Sequence, residues 1–550
     1  MKFLKVLINS LISGFFFSIL LSLLILELNI NLSFRIFFFG QLTLFLTITY
    51  GLLISLLCLV LFFIFQFISG KNIKIATVSP SFLSISFSLL IVLFLLLFKT
   101  NQDYYLSFFS PEIRNLFNSQ TIILTLLAIF GLIAFYGFHR YKKNIYFFWV
   151  YFSLLGVLII FFFYQRLNYP ALSEPVKVAN LDAKIIDKKL TIIGLEGLSF
   201  DFLIPLINDG KLPNFSWFVE NGTWGKLETL SPSEPLALNN SFNTGKLPAK
   251  HRQISIFKYL LLNPNAEIEI FPHYTFFRQL ERLGLLRITA NQSAPITKDI
   301  WEIFKDNDIS YLKRDWPYQR GKASPSEKTE KLFHSFFQEL QYETSDVFNK
   351  LQEAFFRDYE FEEKVMEDKI QTQPQLVYFL LNGLNIVETY FYKYSFPDLF
   401  GDINQEEINK YSSVIEKYYQ FYDLIIGKYL ASMKEDELLI IYSPHGIEPL
   451  PLWKRVVERF LGNPDVSAYH ENAPEGVVFF YGKSIAKGKN IEGTRLIDIA
   501  PTLLYYLGLL VGKDMDGIVR SSIFVDEFTA ENPVPYIFSY DEVTIKKKPK

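Results

Sequence analysis

The stretch IIYSPHG, residues 440–446, runs an apolar β-forming segment into Ser443-Pro444 and delivers His445 to a glycine turn. A second apolar segment, LTIIGL (190–195), ends at Glu196-Gly197. Carboxylates and imidazoles are the groups that hold divalent metals and move protons. Here one of each stands at the carboxyl end of a buried strand. A metal on His445 needs carboxylate partners, and the residue before it is Pro444, which has no donor to offer. The competing reading is structural. An imidazole at such a point also serves as a hydrogen-bonding group in a polar pocket, and Glu196 as a charge welcomed by a following helix N-terminus.

The elements that must position these residues are legible. QLVYFLLNG (375–383), ELLIIYS (437–443), GVVFFYG (476–482) and LLRITA (285–290) read as further apolar strands. LPNFSWFVENG (212–222) reads as a short helix with Pro near its start and Gly past its end. Helical periodicity covers 328–358, 404–433 and 494–508. Continuous apolar strands alternating with helices indicate a mainly parallel sheet covered on both faces. Ligands of such sheets bind at the carboxyl ends of the strands, so Glu196 and His445 belong to one candidate site.

The first 165 residues are of a different kind. Half of the 550-residue chain is hydrophobic and 17% is aromatic, and the apolar residues crowd toward the N-terminus. Five stretches, near 4–26, 36–68, 80–98, 121–139 and 145–165, are long enough to span a bilayer. The first is not followed by a small-residue cleavage site and reads as a retained span. Lys2, Lys5, Lys71, Lys74, Arg140, Lys142 and Lys143 mark alternate loops, whereas Glu27 offsets Arg35 in one intervening loop. The positive-inside rule puts the N-terminus in the cytoplasm and everything after the fifth span outside it. The expected organisation is a transmembrane domain at 1–165, a linker at 166–188 and an extracytoplasmic α/β domain at 189–550. The single cysteine, Cys58, excludes a disulfide framework within the chain. A net charge of −2 gives no sign of nucleic-acid binding. The basic tail IKKKPK (545–550) reads as a solvated end.

The segment IIGLEGLSFDFLIPLINDGKLPNFSWFVENGTWGKLETLSPSEPLALNNSFNTGKLPAKH (192–251) resembles the opening of the alkaline phosphatase superfamily in its type I phosphodiesterase/nucleotide pyrophosphatase branch. RLIDIAPTLLYYLGLLVGKDMDG (495–517) resembles the closing segment of that branch, and HENAPEGVVFFYG (470–482) the region before it. The resemblance implies an alkaline-phosphatase-like domain. It also implies two metal ions, usually zinc, with a Ser or Thr nucleophile on a phosphate ester. Two cations clamp a phosphoryl group and stabilise both the attacking and the leaving oxygen.

Carried over residue by residue, the family pattern is incomplete. The first strand should end in Asp and ends in Glu196. Counting back from Thr244 places the nucleophile position at Pro235 or Glu234, with Ser233 the nearest hydroxyl. The Asp and His expected on one helix become Asn385 and Thr389. The Asp-His after the strand becomes Pro444-His445. The last ligand position is His470, and His251 matches a family histidine that is not a ligand. The implied candidates are Glu196, Glu234, His445 and His470 for metal and Ser233 or Glu234 for the nucleophile.

The expectation is a membrane-anchored pseudoenzyme with no cofactor. It would bind an envelope phosphate-containing polymer, a lipid head group or a protein partner. The alternative is a hydrolase using one zinc or manganese at Glu196, Glu234 and His445. A third reading, from five spans joined to such a domain, is a transferase that moves head groups from membrane lipids.

Overall fold

The computed structural model describes residues 2–30, 32, 36–70, 72–141, 145–167, 188–260, 267–275, 277, 280, 283–291, 296–315, 325–340, 343–401, 403–471 and 474–541. Apart from its ends, the linker expected at 166–188 lies outside these residues. So do the basic tail and the loop residues Arg35, Lys71, Lys142 and Lys143. The chain forms two compact units, Met1–Glu174 with Arg252–Ala294 and Ile545–Lys550, and Pro175–His251 with Pro295–Thr544. Residues 252–294, expected in the α/β domain, thus pack in the first unit.

In the first unit, five helices are long and apolar enough to cross a membrane: Lys2–Leu28, Ile36–Ser69, Pro80–Tyr104, Pro111–Arg140 and Tyr146–Leu167. They coincide with the five stretches expected. A π-helical turn, Thr47–Gly51, interrupts the second. A Cβ on Gly14 would lie 2.1 Å from the carbonyl oxygen of Gly51. The first two helices therefore touch backbone to backbone, a contact only glycine permits.

Glu27 is not a loop charge. It lies in the last turn of the first helix, buried, and accepts a long hydrogen bond from Gln120 (3.4 Å). Arg166, read as the start of the linker, ends the fifth helix, where its guanidinium donates to the carbonyls of Leu26, Asn29 and Leu32. Periodicity could not separate these polar ends from loops, because a span boundary is set by what the side chain finds to bond.

The inserted segment carries an antiparallel three-stranded sheet, Phe257–Leu260 between Glu267–Ile268 and Arg287–Ala290. The strand read at 285–290 belongs here and not to the main sheet. Side-chain amides of the apolar helices bind this insert as a backbone would. Asn29 accepts from the Glu269 and Ile270 amides (2.9 and 2.8 Å) and donates to the Ile270 carbonyl (2.7 Å). Asn101 accepts from the His273 amide, and Tyr50 donates to the Thr275 carbonyl (2.6 Å each). Each contact satisfies a main-chain group that the strands leave unpaired.

The second unit is built on seven strands: β1 Lys189–Leu195, β2 Thr223–Glu228, β3 Tyr311–Arg314, β4 Leu376–Leu381, β5 Glu437–Ser443, β6 Gly476–Tyr481 and β7 Lys489–Arg495. Their order is β7-β2-β6-β5-β1-β4-β3, with β6 antiparallel to both neighbours and every other pair parallel. Alternate residues of a strand feed opposite cores. Ile193, Phe379 and Ile441 face the helices Phe200–Asn208, Asp346–Thr372, Gly383–Ser395 and Val414–Ser432. Ile192, Tyr378 and Ile440 face Pro235–Thr244, Ile300–Asp306 and Ile499–Tyr506. Two covered faces explain why these strands are apolar at successive positions.

Candidate functional site

Strands β1 and β5 are parallel neighbours in which Gly194 pairs with Tyr442. Both chains therefore leave the sheet side by side, Glu196-Gly197 beside Pro444-His445. The Ser443 hydroxyl ties the two exits together. It accepts from the Gly197 amide (3.1 Å) and donates to the His445 carbonyl (2.7 Å). His445 is buried, with Nδ1 2.9 Å from the carbonyl of Gly446. A carbonyl only accepts, so Nδ1 carries the proton.

His470 stacks on His445 with ring centroids 4.2 Å apart and planes 14° apart. Its Nδ1 lies 2.9 Å from the hydroxyl oxygen of Ser233, which also lies against the His470 carbonyl. A serine has one proton. Given to the carbonyl, it leaves the oxygen to accept from Nδ1–H, and the pair is closed on itself. Burial holds the His445 pKa well below the usual imidazole value, with His470 adding to the effect, and burial also lowers that of His470. Both rings are neutral at pH 7. Glu234 is the N-cap residue of Pro235–Thr244 but does not cap it with its side chain. His251 is buried against the Ser241 hydroxyl (2.9 Å), a structural contact.

On the other side of β1, the helix Gly383–Ser395 carries the positions read as lost ligands. Asn385 donates to Asn382 Oδ1 (3.0 Å), and the Thr389 hydroxyl donates to the Asn385 carbonyl (2.8 Å). Between them, and missed in the sequence, is Glu388. It is fully buried and accepts from the Tyr419 hydroxyl (3.1 Å). Its Oε2 has no hydrogen-bond partner among the described residues. Gly197, at φ +99°, makes room for it: a Cβ there would lie 2.5 Å from that oxygen. A second missed carboxylate, Asp358, accepts from the Gly383 amide and from the hydroxyls of Tyr418 (2.8 Å) and Tyr422 (2.7 Å). The available signal was its place on the apolar face of Asp346–Thr372, between Phe355 and Tyr359. Burial pushes the Glu388 pKa well above the usual carboxylate range. Burial, and then the charge of Asp358, raises that of Glu196 to about 7.

The model for type I phosphodiesterase/nucleotide pyrophosphatase matches residues 190–500. The chain belongs to this family. Among solved structures, it is similar to an inactive variant of murine ectonucleotide pyrophosphatase/phosphodiesterase 5 in complex with AMP, at 11% identity and a TM-score of 0.37, over 62% of this chain and 100% of that one. It is also similar to a phosphonate monoester hydrolase from Silicibacter pomeroyi, at 12% identity and a TM-score of 0.36, over 62% and 78% of the two chains. A search of curated protein sequences returned no match.

Members of the phosphodiesterase family usually hold divalent metal ions. Among the described residues, no group of three or more His, Cys, Asp or Glu side chains is placed to hold one. Glu196, Glu234 and His445 do not converge in that way. The structure brings together Ser233, His445 and His470 instead. The two imidazoles are stacked on each other, and His470 Nδ1 is engaged by Ser233. As arranged, this donor set does not fit the dinuclear centre.

Proposed function

We propose that this phosphodiesterase-family member is a membrane-anchored pseudoenzyme that acts by binding. Its phosphodiesterase-like domain lies outside the cytoplasm, as the basic loops between the spans imply. One observation carries the reading: the hydroxyl nearest the nucleophile position, Ser233, is engaged by both Nδ1 and the carbonyl of His470. Two-metal catalysis needs that oxygen free to meet a phosphorus atom and both cations. The ligand is of the family's chemical class, an envelope polymer carrying phosphate, with a protein partner as the other candidate.

The test uses the full chain in nanodiscs. Bound metal is measured by mass spectrometry, and turnover of bis-p-nitrophenyl phosphate is followed with added zinc and manganese. The expected result is no retained metal and no release above the buffer rate. Two zinc ions per chain, with turnover abolished by His445→Ala, would overturn the proposal. One metal per chain, with turnover lost in Glu196→Ala, would establish the single-metal hydrolase. Transfer of a labelled lipid head group without p-nitrophenol release would establish the transferase.

A further inference from the structure

Leu452–Phe460 is a nine-residue helix in which no residue is buried. At about 100° per residue, Leu452, Trp453, Val456, Val457 and Phe460 fall within one continuous arc, and Lys454, Arg455, Glu458 and Arg459 within the opposite one. In a globular domain the apolar arc of such a helix faces the core. Here the helix is reversed. Lys454 pairs with Glu471 and lies 4.3 Å over the Tyr469 ring. The Arg455 guanidinium sits 4.7 Å over the Phe400 ring and donates to the Phe400 carbonyl. The charged arc thus fastens the helix to the domain. The apolar arc points outward, with Leu452 68% and Phe460 87% exposed.

We propose that this helix is a second membrane contact, its apolar arc seated in the interfacial layer of an anionic phospholipid surface. Helices that lie in an interface combine a narrow apolar arc, a basic opposite face and an aromatic residue at head-group depth. This helix has all three, with three cations against one anion and Trp453 in its apolar arc. A cavity of about 250 Å³ borders it, where Leu452 and Val456 meet Arg455, Arg459, Glu407 and the Lys393–Asp465 pair. The excess of one cation suits an anionic head group. A nine-residue helix offers a strip only about 14 Å long, short of the roughly 800 Å² that each partner gives to a stable protein interface. A bilayer needs no such area, because a domain joined to membrane-crossing helices meets lipid at high effective concentration. The inference rests on those five helices crossing a membrane.

The experiment places an environment-sensitive fluorophore at Phe460→Cys in a Cys58→Ala background, with Ile370→Cys as an exposed control in the same unit. The full chain is reconstituted into nanodiscs of anionic or zwitterionic phospholipid, with or without nitroxide-labelled lipid. The expected result is a blue shift at 460 and loss of most of its emission to the nitroxide, stronger on the anionic disc, with neither effect at 370. Equal, water-like emission at both positions overturns the proposal. So does a blue shift at 460 that persists in detergent and grows with protein concentration, which would make the occupant a second copy of this chain. Failure of the chain to enter nanodiscs at all would overturn the membrane anchor itself, a result distinct from a reconstituted chain whose probe at 460 stays wet.

Discussion

Two sets of carboxylates in the second unit, the first half-buried to buried and the second fully buried, have opposite surroundings. Asp514 and Asp541 share the buried ammonium of Lys246, just after the helix Pro235–Thr244. Asp358 and Glu388, beside the candidate site, face tyrosine hydroxyls. A hydroxyl can donate to an ionised carboxylate or accept from a protonated one, so it fixes the group without fixing its charge. An ammonium favours the charged form alone. The first set forms a structural ion pair. Glu388, buried with no cation against it among the described residues, is held in its neutral form. Beside the candidate site the buried carboxylates thus face hydroxyls, and the ion pair of Lys246 lies elsewhere in the unit.

The largest effect expected from this contrast comes from Lys246→Met. Removing one partner of a buried ion pair strands the other charge and costs about 3–5 kcal/mol. Glu388→Gln replaces a neutral acid by a neutral amide of the same shape and should cost under about 1 kcal/mol. Denaturant unfolding followed by tryptophan fluorescence measures both. Equal losses would break the contrast, because they would mean that Glu388 is ionised against a bound cation.

The same contacts explain what was legible. The motifs that carried the family resemblance bind one another. The Gly245 carbonyl accepts from the amides of Asp516 and Gly517, and the Leu247 amide donates to Asp516. Asp498 holds Arg495 and the Ile518 amide. NTGKLP and the closing segment are therefore fold determinants, readable whether or not catalysis remains. The apolar strands and five spans were readable for the same reason, since burial on all sides leaves a continuous apolar run. Glu388 and Asp358 were not readable. Each is one acidic letter in a helix, and its meaning depends on tyrosines 31 and 60 residues away. The fold of 252–294 against the apolar helices was hidden too, because Asn29, Asn101 and Tyr50 look like ordinary loop and span residues until their carbonyl partners are known.

Glu196 gives an intermediate effect and sharpens the contrast. Its pKa is raised from 4.5 to about 7. The folded state therefore binds its proton more tightly than the unfolded state. The associated stability is fully present below pH 4.5 and is lost as pH rises through 7. Glu196→Gln should match the parent at about pH 4 and exceed it by about 1–2 kcal/mol near pH 8, a figure reduced because water reaches part of the side chain. The two histidines act in the opposite direction. Their lowered pKa values contribute stability above the unfolded value of 6.5 that is lost as pH falls. A Glu196→Gln variant less stable than the parent near pH 8 would mean that the carboxylate is wanted in its charged form, with a cation beside it.

Ser233→Ala is a small change that separates the two readings of the cleft. In the closed pair, serine and imidazole are both neutral, so truncation removes two ordinary hydrogen bonds and about 1–2 kcal/mol. That loss should be the same near pH 7 and near pH 8, because the rings are neutral at both. A serine poised as a nucleophile behaves differently. Its imidazole partner would titrate across this range, and the cost of the alanine would change with it. Measuring the unfolding free energy of Ser233→Ala against the parent at both pH values reads that difference directly. A pH-dependent loss would show the pair open to proton traffic, and the pseudoenzyme reading would fail at its central contact.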